Sequence, residues 1–291
     1  MVRPTALCVG AATLDVVVEV DRMPNEDGRE VARESVTSFG GPAAVAALTL
    51  ARLGVDVAFA GVVGTDTAGD AVVANLERNG VDISRVIRDG SFATATSAII
   101  IETTSTGRRI ITSKPPRPAP VHVSAGIGWV HVDHVGYQAA PNLAGARLSV
   151  DDGNPVPGLD LARVDLYAPT LSILQARLGP LEVQALLRAA QAAGAGSVVA
   201  TDGANGCYVA HRERVTHVPA FRQPVRSTLG AGDVFHGALL AAAIRGLDPF
   251  EAARFAAATA ALSCRSLDAV SGIPALDEVN ALLAAATAAS W

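Results

Sequence analysis

The chain has 291 residues, a formal net charge of −5, 50% hydrophobic and only 4% aromatic residues, so its core must be built from small aliphatic side chains. That length fits one large α/β unit with a small appendage better than two independent domains. Acidic charge spread along the sequence excludes the clustered basic face of a nucleic-acid binder, and no apolar run reaches the length of a membrane span.

Residues 6–9 read as a short buried strand. Residues 15–20 and 30–38 alternate in polarity on either side of the turn-rich stretch 23–28. A helix is expected over 42–53, stopped by Gly54, then a strand over 57–63 and a helix over 66–79, stopped by Gly80. Segments 96–102 and 108–112 flank Ser105-Thr106-Gly107 and read as a β-hairpin. Further strands are expected near 128–132, 148–150 and 197–200, the last preceded by a helix over 181–193. The C-terminal third reads as helical. Leu247-Asp248-Pro249-Phe250-Glu251 marks a helix start, with cap, N1 proline and N3 glutamate, and that helix runs to about 263. Its face of Ala256, Ala257, Ala260 and Ala261 permits close approach of a backbone or a flat ligand.

Strands alternating with helices imply a mostly parallel sheet covered on both faces. The half-polar strands within 15–38 and 96–112 do not belong in such a sheet. They are expected to form a small separate one, a lid over a site or a dimer surface. Cys8, Cys207 and Cys264 show no paired spacing and read as buried thiols of a reducing compartment. The first ten residues lack the charged region and cleavage site of a secretory leader, so a cytoplasmic location is expected.

Lys114 is the only lysine. A P-loop needs a lysine after its glycines and a protein kinase needs one on its third strand; Ser113-Lys114-Pro115-Pro116 fits neither. The first strand ends Val9-Gly10-Ala11-Ala12-Thr13, without the spaced glycines of a dinucleotide site, and there is no Gly-x-Ser-x-Gly elbow.

The stretch Thr228-Leu229-Gly230-Ala231-Gly232-Asp233 opens a long apolar helix. Glycines there let consecutive backbone N–H groups converge at the positive end of the helix, which suits charge developing on a transferring phosphoryl group. Asp233 in the first turn is expected to stay ionised and to take a proton from an attacking hydroxyl. His131, Asp133 and His134 cluster at a strand end, but successive residues point to opposite faces, so a strand end lining a substrate cleft is expected rather than a metal site. His236 reads as a packing residue. Arg108, Arg109 and Lys114 make the hairpin locally basic.

Several of these stretches together resemble the ribokinase-like carbohydrate kinases, the phosphofructokinase B family. Gly230-Ala231-Gly232-Asp233 resembles that family's C-terminal signature, and Gly40-Gly41-Pro42-Ala43-Ala44 its N-terminal double-glycine signature. Asp15 resembles the sugar-binding aspartate. Thr201-Asp202-Gly203-Ala204-Asn205-Gly206 is similar to the nucleotide-proximal Thr-x-Gly-x-x-Gly turn, and Ser271-Gly272-Ile273-Pro274 to the tail after the adenine pocket. The resemblance implies a three-layer α/β/α kinase domain over 1–291 with a β-sheet lid from about 15–38 and 96–112, ATP with Mg2+, and phosphorylation of a primary hydroxyl. Asp233 would be the general base and the 230–232 backbone the anion hole. Asp15, Gly40, Gly41 and Lys114 would hold the sugar, and Thr201, Gly203, Gly206 and Ala257 the nucleotide.

Within the family the motifs are closest to sulfofructose kinases, which points to a ketohexose or an anionic hexose derivative. A nucleoside kinase on the same fold and a non-catalytic sugar- or nucleotide-binding sensor are the alternatives. The chain departs from the pattern at Val45, where many members have asparagine, and at Ser227 and Asp268, which replace residues of the monovalent-cation loop. Little potassium dependence is therefore expected. No Asn-x-x-Glu stands around residues 170–174, so the metal ligands are unassigned. A homodimer through the lid strands would cover their open edges.

Overall fold

The computed structural model describes residues 5–104 and 107–288. Strands β1 (Ala6–Val9), β2 (Thr13–Val20) and β3 (Glu34–Gly40) lead into helix α1 (Pro42–Arg52). Strands β4 (Val57–Ala60) and β5 (Val62–Val63) lead into α2 (Thr67–Arg78). Next come β6 (Ile87–Arg88), β7 (Thr96–Glu102), β8 (Arg108–Thr112), β9 (Trp129–Val132), β10 (Arg147–Asp152) and β11 (Leu166–Pro169). After α3 (Leu171–Leu178) and α4 (Val183–Ala192), the strands β12 (Ser197–Thr201), β13 (Cys207–His211) and β14 (Arg214–Val218) precede α5 (Ala231–Ile244), α6 (Pro249–Ser263) and α7 (Leu276–Ala288).

An eight-stranded sheet in the order β14-β13-β12-β11-β10-β9-β1-β4 is parallel from β12 to β4, with β13 and β14 antiparallel at one edge. Its strands alternate between two apolar layers, as a doubly covered sheet requires. Ala6 and Cys8 of β1 face a layer that includes α1, α5 and α6, while Leu7 and Val9 face a layer that includes Leu186 and Leu187 of α4. Small side chains let the helices come close. A Cβ on Gly237 of α5 would stand 2.7 Å from the Ala46 carbonyl oxygen, so α1 and α5 meet backbone to backbone there. No described helix is long and apolar enough to cross a membrane.

The small separate sheet is present, in the order β3-β2-β7-β8. Val17, Ile99 and Ile101 on its inner face pack with Leu267, and Val36 and Leu229 close around them. On the outer face, Val16, Ala98 and Ile111 lie in register across three strands, with Val16 41% and Ile111 77% exposed. The hairpin strands β7 and β8 match the expectation in both bounds; Ser105 and Thr106 of their turn lie outside the described residues.

The expected strand over 57–63 divides at Gly61, where a Cβ would meet the Phe59 ring at 2.5 Å and the Gly10 carbonyl at 2.7 Å; β5 then pairs with β6 instead. The strand expected from residue 30 starts at Glu34, because its partner β2 gives out at the Glu19–Glu34 pair. The capping box at Asp248 and Glu251 forms as expected. All three cysteines are buried and unpaired, and burial raises their thiols, Cys207 to about 12.

The chain runs from β1 outward to β4 and then crosses back to β9 on the other side of β1, so strand order reverses between β1 and β9. Such a reversal leaves a crevice beyond the carboxyl ends of the strands. Asp133 fills the base of that crevice. Its Oδ2 accepts the Ala11 amide at 2.8 Å and the Ala43 amide at 3.3 Å, while Oδ1 accepts those of Val135 at 2.8 Å and Gly136 at 2.9 Å. One carboxylate thus fastens the β1–β2 loop, the start of α1 and the turn after β9. Replacing Asp133 by Asn turns an amide NH2 toward backbone N–H donors that then lack acceptors. We expect Asp133→Asn to lower stability by about 3 kcal/mol, read as a lower urea midpoint at unchanged slope. An unchanged midpoint would mean that Asp133 does not fasten these loops.

Candidate active site

The N-terminus of α5 stands at the edge of this crevice. Gly230 is its N-cap with φ 70, a left-handed conformation suited to glycine, and a Cβ there would lie 2.4 Å from the Cβ of Ala269. Gly232 differs: a Cβ would meet nothing within 4 Å, so its edge of the helix opens onto free space. The first amides of a helix lack intrahelical partners. Here they face an opening that a side chain would otherwise fill.

Asp233 is half-buried in that first turn. Burial, then the neighbouring Asp151 carboxylate, with Asp133 and Asp15 adding to it, push its carboxyl up to about 8, against the pull of His236. The expectation that Asp233 simply stays ionised is therefore corrected. The helix N-terminus favours its anion, but partial desolvation among three other carboxyl groups outweighs that.

Asp151 and His236 were not anticipated as site residues. Asp151 is the penultimate residue of β10, and its Oδ2 lies 2.9 Å from Nδ1 of His236, both side chains being almost wholly buried. The contact is an ion pair, and the Ala168 backbone also bears on the imidazole. Burial works against the charge on Asp151, but His236 holds it below the usual carboxylate range. Burial likewise opposes the imidazolium, and Asp151 with Asp233 outweighs it, raising His236. One ligand-type atom from each of Asp151, Asp233 and His236 lies within 4.8 Å of the others. Asp152 is also buried: it accepts the Tyr167 hydroxyl at 2.6 Å and pairs with Arg177 at 2.8 Å, bracing the turn after β10.

Across the crevice, Asp15 of β2 is buried and accepts the Thr13 hydroxyl at 2.8 Å; burial raises its carboxyl. Gly40 lies directly under it, since a Cβ there would fall 2.0 Å from Asp15 Oδ2. Gly41, φ 93, caps α1 without a side chain, and a Cβ on it would strike the Ala11 carbonyl at 2.5 Å. Asp15, Gly40, Gly41 and Asp233 therefore share one crevice. Lys114 is exposed, two residues beyond Thr112, which stands in register with Ser97 and hence with Asp15. Among the described residues Lys114 makes no ion pair. Val45, where a family asparagine was noted as missing, is fully buried.

Thr201 ends β12, and Gly203 and Gly206 bound a 3-10 turn over Gly203–Asn205. Gly206, φ 97, leaves no room for a Cβ, whereas Gly203 faces open space. Ala257 is buried on α6, and Ala260 and Ala261 are half-buried, so the alanine face largely serves helix packing. Asp268 accepts the Ser271 amide at 2.8 Å and hydroxyl at 2.7 Å, and Ser227 accepts the Leu229 amide at 3.0 Å. At the two positions where the chain departs from the family's cation loop, the side chains are thus engaged within their own segments. The small sheet is tied to the same region: Arg108 donates to the Thr228 hydroxyl at 2.7 Å, and Arg226 pairs with Glu19 at 3.1 Å and Glu34 at 2.5 Å.

Of the strand-end cluster His131, Asp133 and His134, Asp133 lies at the base of the crevice while His131 turns into the packed interior. Asp133 is consumed by backbone amides, and His131 is buried against Ser149, with Nδ1 3.0 Å from its Oγ. The signal for Asp151 was present, two adjacent acids ending an aliphatic run, and His236 lies one helical turn from Asp233. Nothing in the sequence joined them. A cavity of about 340 Å3 lies at the opposite end of the sheet, lined by the first residues of β9, β10, β11 and β12, away from this chemistry.

A parallel sheet with a crevice at its order reversal, a glycine-opened helix end with an aspartate, and a small sheet beside it define a ribokinase-like fold. The profile of the pfkB family carbohydrate kinases matches residues 3–121 and 157–276, and the chain belongs to that family. It is 26% identical to the ketohexokinase of Mus musculus, covering 89% of this chain and 95% of that protein. It is also 26% identical to the ribokinase of Bacillus subtilis, covering 95% and 99%. The structure of Arabidopsis thaliana ribokinase complexed with ribose and ATP superposes with a TM-score of 0.79 at 23% identity, covering 97% of this chain and 99% of that one. The protein is a carbohydrate kinase of that family.

The electrostatics give a direct test. Asp233 should be protonated at neutral pH and ionise with a midpoint of about 8 in a 13C-detected titration of its carboxyl carbon. A midpoint in the ordinary aspartate range would mean that neither burial nor the surrounding carboxylates hold its proton.

Proposed function

We propose that the chain transfers the γ-phosphoryl group of ATP to a primary hydroxyl of a sugar, with Asp233 as general base and the amides of residues 230–232 as the anion hole. The observation that carries this reading is the meeting of Asp233, at an open glycine-lined helix end, with Asp15 and Gly40 across one crevice. ATP supplies the phosphoryl group, and Mg2+, held mostly by phosphates and water, offsets its charge. Asp15 and the Gly40–Gly41 backbone bind and orient the sugar. As the hydroxyl oxygen bonds to phosphorus, its proton passes to Asp233, and the bond to the departing ADP oxygen breaks. Gly232 leaves the room that a phosphate needs. Thr201, Gly203, Gly206 and Ala257 form the nucleotide side. The Asp151–His236 pair, turned on itself and half nitrogen, does not suit Mg2+, which prefers oxygen ligands.

The chain acts as one kinase domain in the cytoplasm, with the four-stranded sheet as its lid. Closing that lid excludes water and completes the site. The substrate is a ketohexose or a hexose with an anionic group, such as sulfofructose, and Lys114 is the partner of that anion. Arg109 is the nearest substitute, since Arg108 is engaged with Thr228. With Asp268 and Ser227 closing their segment, the enzyme works without potassium. Two copies pair through the lid, whose outer stripe of Val16, Ala98 and Ile111 is otherwise open to water.

A coupled ADP-release assay over neutral and anionic sugars and nucleosides tests the activity. Asp233→Asn should bind ATP and lose turnover by a factor of about 10^3 or more; turnover within a few-fold of wild type would remove Asp233 as the base. A carboxylate that must be ionised to take a proton gives kcat/KM rising as pH passes through about 8. Lys114→Ala should raise KM for an anionic sugar about ten- to a hundred-fold with ATP affinity unchanged. Equal effects on anionic and neutral sugars would reject Lys114. Light scattering at micromolar concentration should give the dimer mass, and a monomer would reject the lid interface.

A further inference from the structure

Asp233 stands among carboxyl groups contributed by three other parts of the chain: Asp15 from β2, Asp133 after β9 and Asp151 from β10. A base so surrounded holds its proton, and a site poised at neutral pH needs a compensating positive charge. His236 is the group so placed. It follows Asp233 by three residues on α5, one turn along the same helix face. It is 3% exposed, and its Nδ1 meets Asp151 Oδ2 at 2.9 Å. Asp151 is itself fixed, its Oδ1 accepting the Gly153 amide at 2.7 Å. The other groups facing the imidazole are the Ala168 backbone of β11, which favours the protonated ring, the Phe235 ring, edge-on at 6.0 Å, and His131 of β9, whose ring centroid is 6.5 Å away. Burial pulls His131 down to about 4, so it stays neutral and adds no second charge. From α1, Ala46 and Thr49 pack against Gly237 and bring no charge.

We propose that His236, held by Asp151 as an imidazolium, is a positioning residue for phosphoryl transfer that places a fixed positive charge beneath Asp233. This rests on Asp233 being the base. The imidazole is almost wholly buried, so its charge favours the anionic base from the protein interior. Asp151 serves the base through His236 by keeping the imidazole protonated and oriented, and without His236 it would only repel the Asp233 anion.

The test is the pH dependence of kcat/KM for His236→Gln, from pH 6 to 10, with ATP and the best sugar of the panel. The variant should show its acid limb displaced upward by about one pH unit, with the high-pH plateau within a few-fold of wild type. A loss equal at every pH, or an unmoved limb, overturns the proposal, since a packing defect would do that. Should the variant fail to fold, 15N NMR of the wild-type imidazole decides. Two protonated ring nitrogens at pH 7 are expected for His236, and a neutral ring there overturns it. Asp233→Asn with near wild-type activity would bring down the base assignment and this inference together. An inactive Asp233→Asn with an unmoved limb in His236→Gln would reject the role of His236 alone.

Discussion

The four amide hydrogens gathered by the Asp133 carboxylate are the constraint on which the rest of the site depends. They come from loops far apart in sequence that meet only where the sheet reverses its strand order. Gly10 and Gly136 are part of the same device. A Cβ on Gly10 would fall 2.2 Å from Asp133 Oδ1, and one on Gly136 would fall 1.8 Å from the Val9 carbonyl oxygen. With those loops fastened, Gly41 is set at the start of α1, and the Gly237 crossing of α1 and α5 brings the Gly230 end of α5 beside it. The poverty in aromatic side chains serves this arrangement, because two helices can approach that closely only where neither carries bulk.

A second theme is the concentration of like charge. Asp15, Asp133, Asp151 and Asp233 converge in a chain whose cationic side chains stand mostly at the surface. Each is handled differently: Asp133 by backbone amides, Asp15 by the Thr13 hydroxyl, Asp151 by an imidazole, and Asp233 by little beyond the helix end. Asp233 is the least satisfied of them, and its carboxyl is pushed up to about 8. Structural carboxylates are those whose lone pairs are taken, and a working one keeps its own free.

Strands and helices with strong local signals were legible: β7, β8 and α6 appear with the expected bounds, because turn residues, caps and period stand in consecutive positions. The glycine-opened start of α5, with Asp233 in its first turn, was legible for the same reason. The split at Gly61 was not, since its cause is the Gly10 backbone some fifty residues earlier in the chain. The Asp151–His236 pair was missed because it joins the end of one strand to a helix far downstream, and neither residue has an unusual neighbour in sequence. Asp133 was noticed for its histidine neighbours, yet its partners are backbone amides, which no side-chain pattern reveals. The charge state of Asp233 was misjudged because the helix end is local and the opposing carboxylates are not.

The ties between the small sheet and the loop before α5 divide the molecule into parts with different freedom to change. The floor of the crevice is locked by buried amides, and a substitution there disturbs several loops at once. Arg109 and Lys114, by contrast, stand exposed in or just beyond β8, an outer strand of the small sheet, where the backbone is set by its ladder with β7 and the side chains are not enclosed. With Lys114 holding the substrate as proposed, preference drifts through the covering sheet by single replacements while the floor of the crevice stays as it is. On that proposal the scaffold is re-targeted to new sugars by diversifying one hairpin, a route open to laboratory selection as much as to natural divergence.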